Sequence, residues 1–281
     1  MKTNNLQKIT KQFKKKVTTS PLYLWGRAKI YYEYTKIRIF NDDVFLVSYP
    51  KSGNTWLRFL ISNYLTNTQA DFSNIQEIVS DIHQPINLNS IHQLQRPRFI
   101  KSHRPFSPQV TANFTANYPK VVYLVRDGRD VAVSEYFFCK KLGKITPDTS
   151  FKDFLHQNFN HGNIFYFDTW SNHVNSWLEN APPKFLLIKY EEMQNNTLAK
   201  LIDVLEFAGI SADIDKAITA VEASKFEKMK AAEKKHKKWQ PDQIRIARTG
   251  QVGDWQNFFE NELMSEFMEI YGPTLKRMGY I

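Results

Sequence analysis

Four short apolar runs, residues 44–49, 98–102, 121–125 and 185–188, punctuate the chain, and the longer segments between them carry a three- to four-residue apolar repeat. Apolar runs of this length, bounded by turn residues, read as buried strands. The repeats at 55–65, 130–139, 168–178 and 198–207 read as amphipathic helices. Strands alternating with helices predict an α/β chain with a central parallel sheet and helices on both of its faces, three layers in all. In such sheets ligands bind beyond the carboxyl ends of the strands. Four loops therefore matter most.

The first lies in "VSYPKSGNTWLRFL", residues 47–60, where a Pro-Lys-Ser-Gly-Asn-Thr turn joins a strand to a helix. Pro50 presets its φ, Gly53 permits close backbone approach, and successive N–H groups can converge on an anion. Lys51 adds a point charge, and Thr55 can cap the helix or bond the anion. The lysine precedes the glycine, so the order is not GxxxxGK[ST]. A solvated surface lysine is the bland alternative.

The second, "VVYLVRDGRDVAVSEYFF", residues 121–138, ends a strand on Arg126 and opens a helix. Ser134 follows eight residues on, about two helical turns. An arginine with a hydroxyl suits a phosphate monoester, whereas an Arg–Asp network closing a turn would need no ligand. The third, "RPRFIKSHRPF", residues 96–106, brings Lys101 and His103 to a strand end, two residues apart and so on one side. A histidine there suits a general base, against a structural role. His83, His92, His156, His161, His173 and His236 lack an equally placed strand end. The fourth, "IARTGQVGDWQNFF", residues 246–259, sets Arg248, Gly250 and Gly253 in a basic loop anchored by Trp255.

Composition narrows the class. At 281 residues, with 42% hydrophobic and 14% aromatic residues, the chain can bury a large core. One cysteine, Cys139, excludes an internal disulfide and favours a reducing, cytoplasmic setting. No apolar stretch approaches the ~20 residues of a spanning helix. Residues 1–40 hold eight lysines, two arginines and one glutamate, and so nine of the ten net positive charges. With the charge confined there, the body of the chain gives no sign of nucleic-acid binding. Leu6, Ile9, Phe13 and Val17 recur at helical spacing among the lysines, so residues 1–41 read as a basic amphipathic leader before one domain at 42–281. Such a helix suits peripheral contact with an anionic membrane surface, or packing against the domain.

Together these stretches resemble the sulfotransferase family that uses 3′-phosphoadenosine 5′-phosphosulfate (PAPS). Its Y-P-K-[ST]-G-[ST]-T-W loop is matched at 49–56, with Asn54 in place of Ser or Thr. R-[DN]-x-[RK]-D-x-x-x-S is matched by Arg126, Asp127, Arg129, Asp130 and Ser134, and K-[ST]-H-x-P by Lys101, Ser102, His103 and Pro105. R-K-G-x-x-G-D-W-K is matched by Arg248, Gly250, Gly253, Asp254 and Trp255, and Y-E-[DE]-[ML] by Tyr190, Glu191, Glu192 and Met193.

The resemblance implies a fold like that of P-loop nucleotide kinases. It also implies in-line transfer of a sulfuryl group from PAPS to an acceptor hydroxyl, with no metal. By the same likeness Lys51, Ser52, Gly53, Asn54 and Thr55 would grip the 5′-phosphosulfate, and Trp56 and Tyr190 would face adenine. Arg126 and Ser134 would bind the 3′-phosphate, with Arg248, Thr249 and Gly250 closing over it. His103 would be the general base, with Lys51 and Lys101 as catalytic cations. Thr249 and Gln256 stand where the family has lysine, and Ser224-Lys225-Phe226 where it has T-S-F, leaving Ser224 as a nucleotide contact. The K-x-x-x-T-V pattern of animal dimers is missing after Trp255, which leaves the oligomeric state open. Phenol, sterol, lipid and sugar acceptors all remain open, although Phe106, Phe114, Phe137 and Phe138 favour an apolar or ring-bearing one. The competing readings are a nucleotide kinase, against which the lysine order stands, and a nucleotide-binding protein without catalysis that docks to membranes.

Overall fold

A computed structural model describes residues 37–66, 69–83, 88–106, 118–162, 168–235 and 250–281. The leader up to residue 36, and with it Arg248, Thr249 and His236, lies outside the described residues. So does residue 114.

Five strands form one sheet in the order β2-β3-β1-β4-β5, every neighbouring pair parallel. They are β1 (Val44–Ser48), β2 (Val79–Asp81), β3 (Phe99–Ser102), β4 (Lys120–Val125) and β5 (Phe185–Lys189). Each residue of β1 is buried, as expected of a central strand covered on both faces. Its side chains alternate between two cores. Phe45 and Val47 join Tyr123, Val131, Trp170, Trp177, Phe267 and Tyr271 on one face, while Val44 and Leu46 join Leu57, Leu60, Val122, Leu201 and Val204 on the other. The helices Gly128–Lys141, Trp170–Glu179 and Asn261–Arg277 thus cover the first face, and Asn54–Thr66, Thr197–Ala208 and Ile214–Ala223 the second.

Strand β2 departs from the sequence reading, which has four strands. Its three residues, Val-Ser-Asp, are too few and too polar to show a period. Besides its ladder with β3, it is held by Arg58 of the Asn54–Thr66 helix. The buried guanidinium donates to the Val79 carbonyl from Nε at 3.1 Å and from Nη2 at 2.5 Å. The helix that follows the Trp255 loop runs from Asn261 to Arg277. At the amino end of the domain Ile37 is buried in the core, and the Arg38 carbonyl accepts from Arg98 at 2.7 Å. Arg98 is itself fully buried against Asp43, at 2.5 Å. No helix among the described residues is long and apolar enough to cross a membrane.

Candidate active site

The loop after β1 closes through left-handed backbone. Lys51 has φ +69° and Gly53 φ +97°, after which Trp56 and Leu57 donate to the Gly53 carbonyl and start the helix. Asn54, the departure from the family motif, is a strut inside the fold. Its Nδ2 donates at 3.1 Å to both the Leu46 carbonyl and Ser48 Oγ, tying the helix start back to β1. The Lys51 ammonium sits 3.9 Å from the centre of the Phe138 ring. Burial pulls its pKa down to about 8, opposed by the Glu135 carboxylate and helped by Arg126.

From the end of β4, Arg126 reaches the Gln251 carbonyl at 2.7 Å and Asp130 at 3.3 Å, and it lies 4.4 Å over the Tyr190 ring. Asp127 caps the Gly128–Lys141 helix by accepting from the Arg129 N–H. One turn in, Asp130 accepts from the Gly253 and Trp255 amides at 2.9 and 3.0 Å. Tyr190 donates to the Gly250 carbonyl at 3.1 Å and packs edge-on against Trp56 at 5.8 Å. These bonds bring the first, second and fourth loops of the sequence reading together around Tyr190. Trp56 is held from behind by the Ser224 carbonyl at 3.1 Å. The Ser224 hydroxyl accepts from Asn63 and donates to the Ala220 carbonyl, so it serves the protein's own packing. Ser134 is half-buried on the Gly128–Lys141 helix.

The other half of the site lies at the ends of β3 and β2. His103 Nδ1 is 2.7 Å from the Ser48 carbonyl oxygen. A carbonyl only accepts, so the ring proton is on Nδ1 and Nε2 is the basic nitrogen. Burial, with Lys101 and His83 nearby, holds His103 neutral, its pKa well below the usual histidine value. Lys101 is buried in an ion pair with Asp81 at 2.6 Å. Three residues of the Trp170–Glu179 helix hold the segment that follows β3. His173 Nε2 donates to the His103 carbonyl at 3.2 Å, Trp177 Nε1 to the Arg104 carbonyl at 2.9 Å, and Ser176 Oγ accepts from the Phe106 N–H at 3.0 Å. Tyr123 completes the set, donating to His173 Nδ1 at 2.8 Å.

His83 corrects the sequence reading. It stands two residues beyond β2 with its ring stacked on His103, centroids 5.7 Å apart, so a second histidine does sit at a strand end. Its signal was hidden with β2 itself. His173 reads in sequence as one more residue on a helix face, and only the fold brings it behind His103.

A buried anion would find partners here. Ser52 Oγ and Arg126 Nε are buried with no hydrogen-bond partner among the described residues. At Gly53 a β-carbon would fill the space against Tyr190. Lys51 and Arg126 supply charge. These groups fit a nucleotide phosphosulfate or phosphate. Among the described residues no three His, Cys, Asp or Glu side chains group as a metal site would require.

Comparison with known proteins agrees with this geometry. A family model described as a sulfotransferase domain matches residues 41–279. Sulfotransferase 1E1 of Bos taurus is 30% identical over 255 residues, spanning 84% of this chain and 85% of that protein. Sulfotransferase 2A1 of Homo sapiens is 28% identical over 242 residues, spanning 82% and 83%. The crystal structure of mouse sulfotransferase SULT7A1 shares the fold, with a TM-score of 0.68 and 24% identity across 88% of this chain and 89% of that one. The chain belongs to the sulfotransferase family.

Proposed function

We propose that the protein moves a sulfuryl group from PAPS to an acceptor hydroxyl by in-line displacement. The observation that carries this reading is the sheet order. With β3, β1 and β4 side by side and parallel, His103, Lys51 and Arg126 stand at neighbouring carboxyl ends, an anion cradle next to a neutral base. Two solved proteins of this fold lend support, since mouse SULT7A1 was crystallised with PAP and retinol dehydratase with androsterone and PAP. PAP is the nucleotide that PAPS becomes on losing its sulfuryl group.

PAPS supplies an activated sulfuryl group on a phosphate leaving group. His103 Nε2 accepts the proton of the attacking hydroxyl, a contribution of ~10²–10⁴-fold for a positioned base. Lys51 and the amides of residues 52–55 meet the negative charge that grows on the leaving phosphate, where electrostatic stabilisation counts most. Lys101 adds positive charge beside the base. Arg126 and Ser134 take the 3′-phosphate, while Trp56 and Tyr190 hold the adenine. Arg248, Thr249 and Gly250 close over the nucleotide. Ser224 acts on adenine indirectly, by fixing Trp56.

The acceptor is a hydroxyl-bearing small molecule, lipid or sugar, met in a cytoplasmic setting, with residues 1–40 as a peripheral membrane contact. Transfer of radiolabelled sulfate from PAPS to pooled metabolites tests the reaction. Turnover of magnesium ATP without PAPS binding would instead establish a kinase. Equal sedimentation with anionic liposomes for the intact chain and one lacking residues 1–36, which keeps the buried Ile37, would dismiss the membrane contact.

A further inference from the structure

The peptide N–H of His103 lies just past the end of β3, where the ladder with β2 gives out. The last rung on that side is the Ile82 N–H donating to the Lys101 carbonyl at 3.1 Å. One step on, the place of a strand partner is taken by a side chain: the His103 N–H donates to His83 Nε2 at 2.7 Å. An amide in a partly buried site needs such an acceptor. Accepting at Nε2 puts the proton of a neutral His83 on Nδ1. The His83 ring lies nearly parallel to that of His103, at 21°. His83 is itself held from below, its N–H donating to Asp81 Oδ1 at 2.9 Å, while Asp81 Oδ2 takes the Lys101 ammonium at 2.6 Å. Asp81 is buried, so both oxygens are committed within one rigid corner.

We propose that Asp81 and His83 are positioning residues for His103. Asp81 fixes the His83 peptide, and the His83 ring fixes the His103 N–H and covers one face of its imidazole. This rests on the reading of His103 as the base. A base is effective only when held within a fraction of an ångström of its working geometry. Ser48 orients the His103 ring from β1 and His173 holds its carbonyl from the other side, so His83 supplies the remaining backbone restraint. Among the described residues the β2–β3 ladder ends at Asp81, and the His103 N–H one step beyond it is met by a side chain.

The test uses the full chain with ¹⁵N-labelled amide and histidine nitrogens. The wild-type protein is expected to show coupling across the hydrogen bond between the His103 amide nitrogen and His83 Nε2. It is also expected to show one His103 tautomer, protonated at Nδ1. His83→Phe keeps a ring but offers no acceptor, and should replace that single tautomer with an exchanging mixture. His83→Gln offers a side-chain carbonyl and should restore it. No coupling in the wild type, an unaltered His103 spectrum in His83→Phe, or equal disturbance in His83→Gln would each overturn the proposal. Titration with adenosine 3′,5′-bisphosphate separates this from the donor reading. A wild-type chain that fails to bind it ends the PAPS assignment, while the histidine spectra still decide the positioning claim. His83→Phe should bind it within about twofold of wild type, the tolerance of independent sites. A larger loss would move the effect to the fold as a whole and overturn the proposal.

Discussion

A β-carbon added to Gly53 would lie 2.4 Å from Cδ2 of Tyr190, closer than any side chain tolerates. The same residue holds φ +97°, so two independent constraints require glycine there. Gly53→Ala should lose about 1–3 kcal/mol of stability, the usual cost of such backbone strain. It should also weaken nucleotide binding, because Tyr190 must shift away from Trp56 and Gly250. Urea unfolding and calorimetric titration with PAP measure the two effects. An alanine variant matching wild type in both would refute the close contact.

Lys51 sets an alkaline limit. Burial lowers its pKa to about 8, so the ammonium is present below that pH and disappears as the pH rises through it. PAPS affinity should therefore fall above pH 8. Lys51→Met should bind PAPS ~10–100-fold more weakly at pH 7, as expected on losing a hydrogen bond to a charged group. Its affinity should show no alkaline limb. A limb of equal size in the variant would assign the titration elsewhere.

For His103 the sign is the reverse. A base is competent when neutral, and its depressed pKa keeps it neutral through the physiological range. With an acceptor from the radiolabelled screen, kcat should stay level between pH 7 and 6.5, below the Lys51 limb, and decline only in more acid solution. His103→Ala should cut kcat by ~10²–10⁴-fold and leave PAP affinity intact. An acid limb centred on the ordinary histidine value would contradict the buried, neutral ring.

The same burial makes the fold sensitive to acid. His83 and His173 both have pKa values pushed down to about 3, against 6.5 for an unconstrained histidine. Between those values the unfolded chain binds more protons than the native one, so stability is lost as pH falls from 6.5 towards 3. Burial pushes the Asp81 pKa up, but Lys101 and Arg58 outweigh it and hold the carboxyl well below the usual range, so it adds to the loss below about pH 4. Urea midpoints should drop steadily from pH 7 to pH 4.5. A flat profile would mean that these rings are hydrated in solution.

Asp130 is the tether of the fourth loop. Asp130→Ala would strip the acceptors from the Gly253 and Trp255 amides and remove the carboxylate beside Arg126. Limited proteolysis should then cut within 250–257 sooner than in wild type, and PAP should bind less tightly. Unchanged cleavage would show that Arg126 at the Gln251 carbonyl, with Tyr190 and Gln194 at the Gly250 carbonyl, holds the loop without Asp130.

Much of this was legible in the sequence for a physical reason. Parallel strands covered on both faces read as near-continuous apolar runs, so β1 and β4 announce themselves, β3 and β5 show through their apolar stretches, and the loops after β1, β3 and β4 carry the charged residues of the site. Strand β2 escaped because it is held by its ladder with β3 and by Arg58, contacts across the fold rather than a local pattern. With it went the neighbourhood of His83 and the partner of Lys101. Ser224 and Asn54 show another limit. The family motif implies a nucleotide contact for each, and the structure adds hydrogen bonds inside the protein that no motif displays: Asn63 and the Ala220 carbonyl for Ser224, the Leu46 carbonyl and Ser48 for Asn54.

The three contacts from the Trp170–Glu179 helix to residues 103, 104 and 106 have a consequence for how such a protein can diversify. They fall on backbone atoms, so they survive almost any change of side chain at positions 104 and 106. If His103 is the base as proposed, its main-chain anchors therefore stay in place while the side chains at 104 and 106 vary.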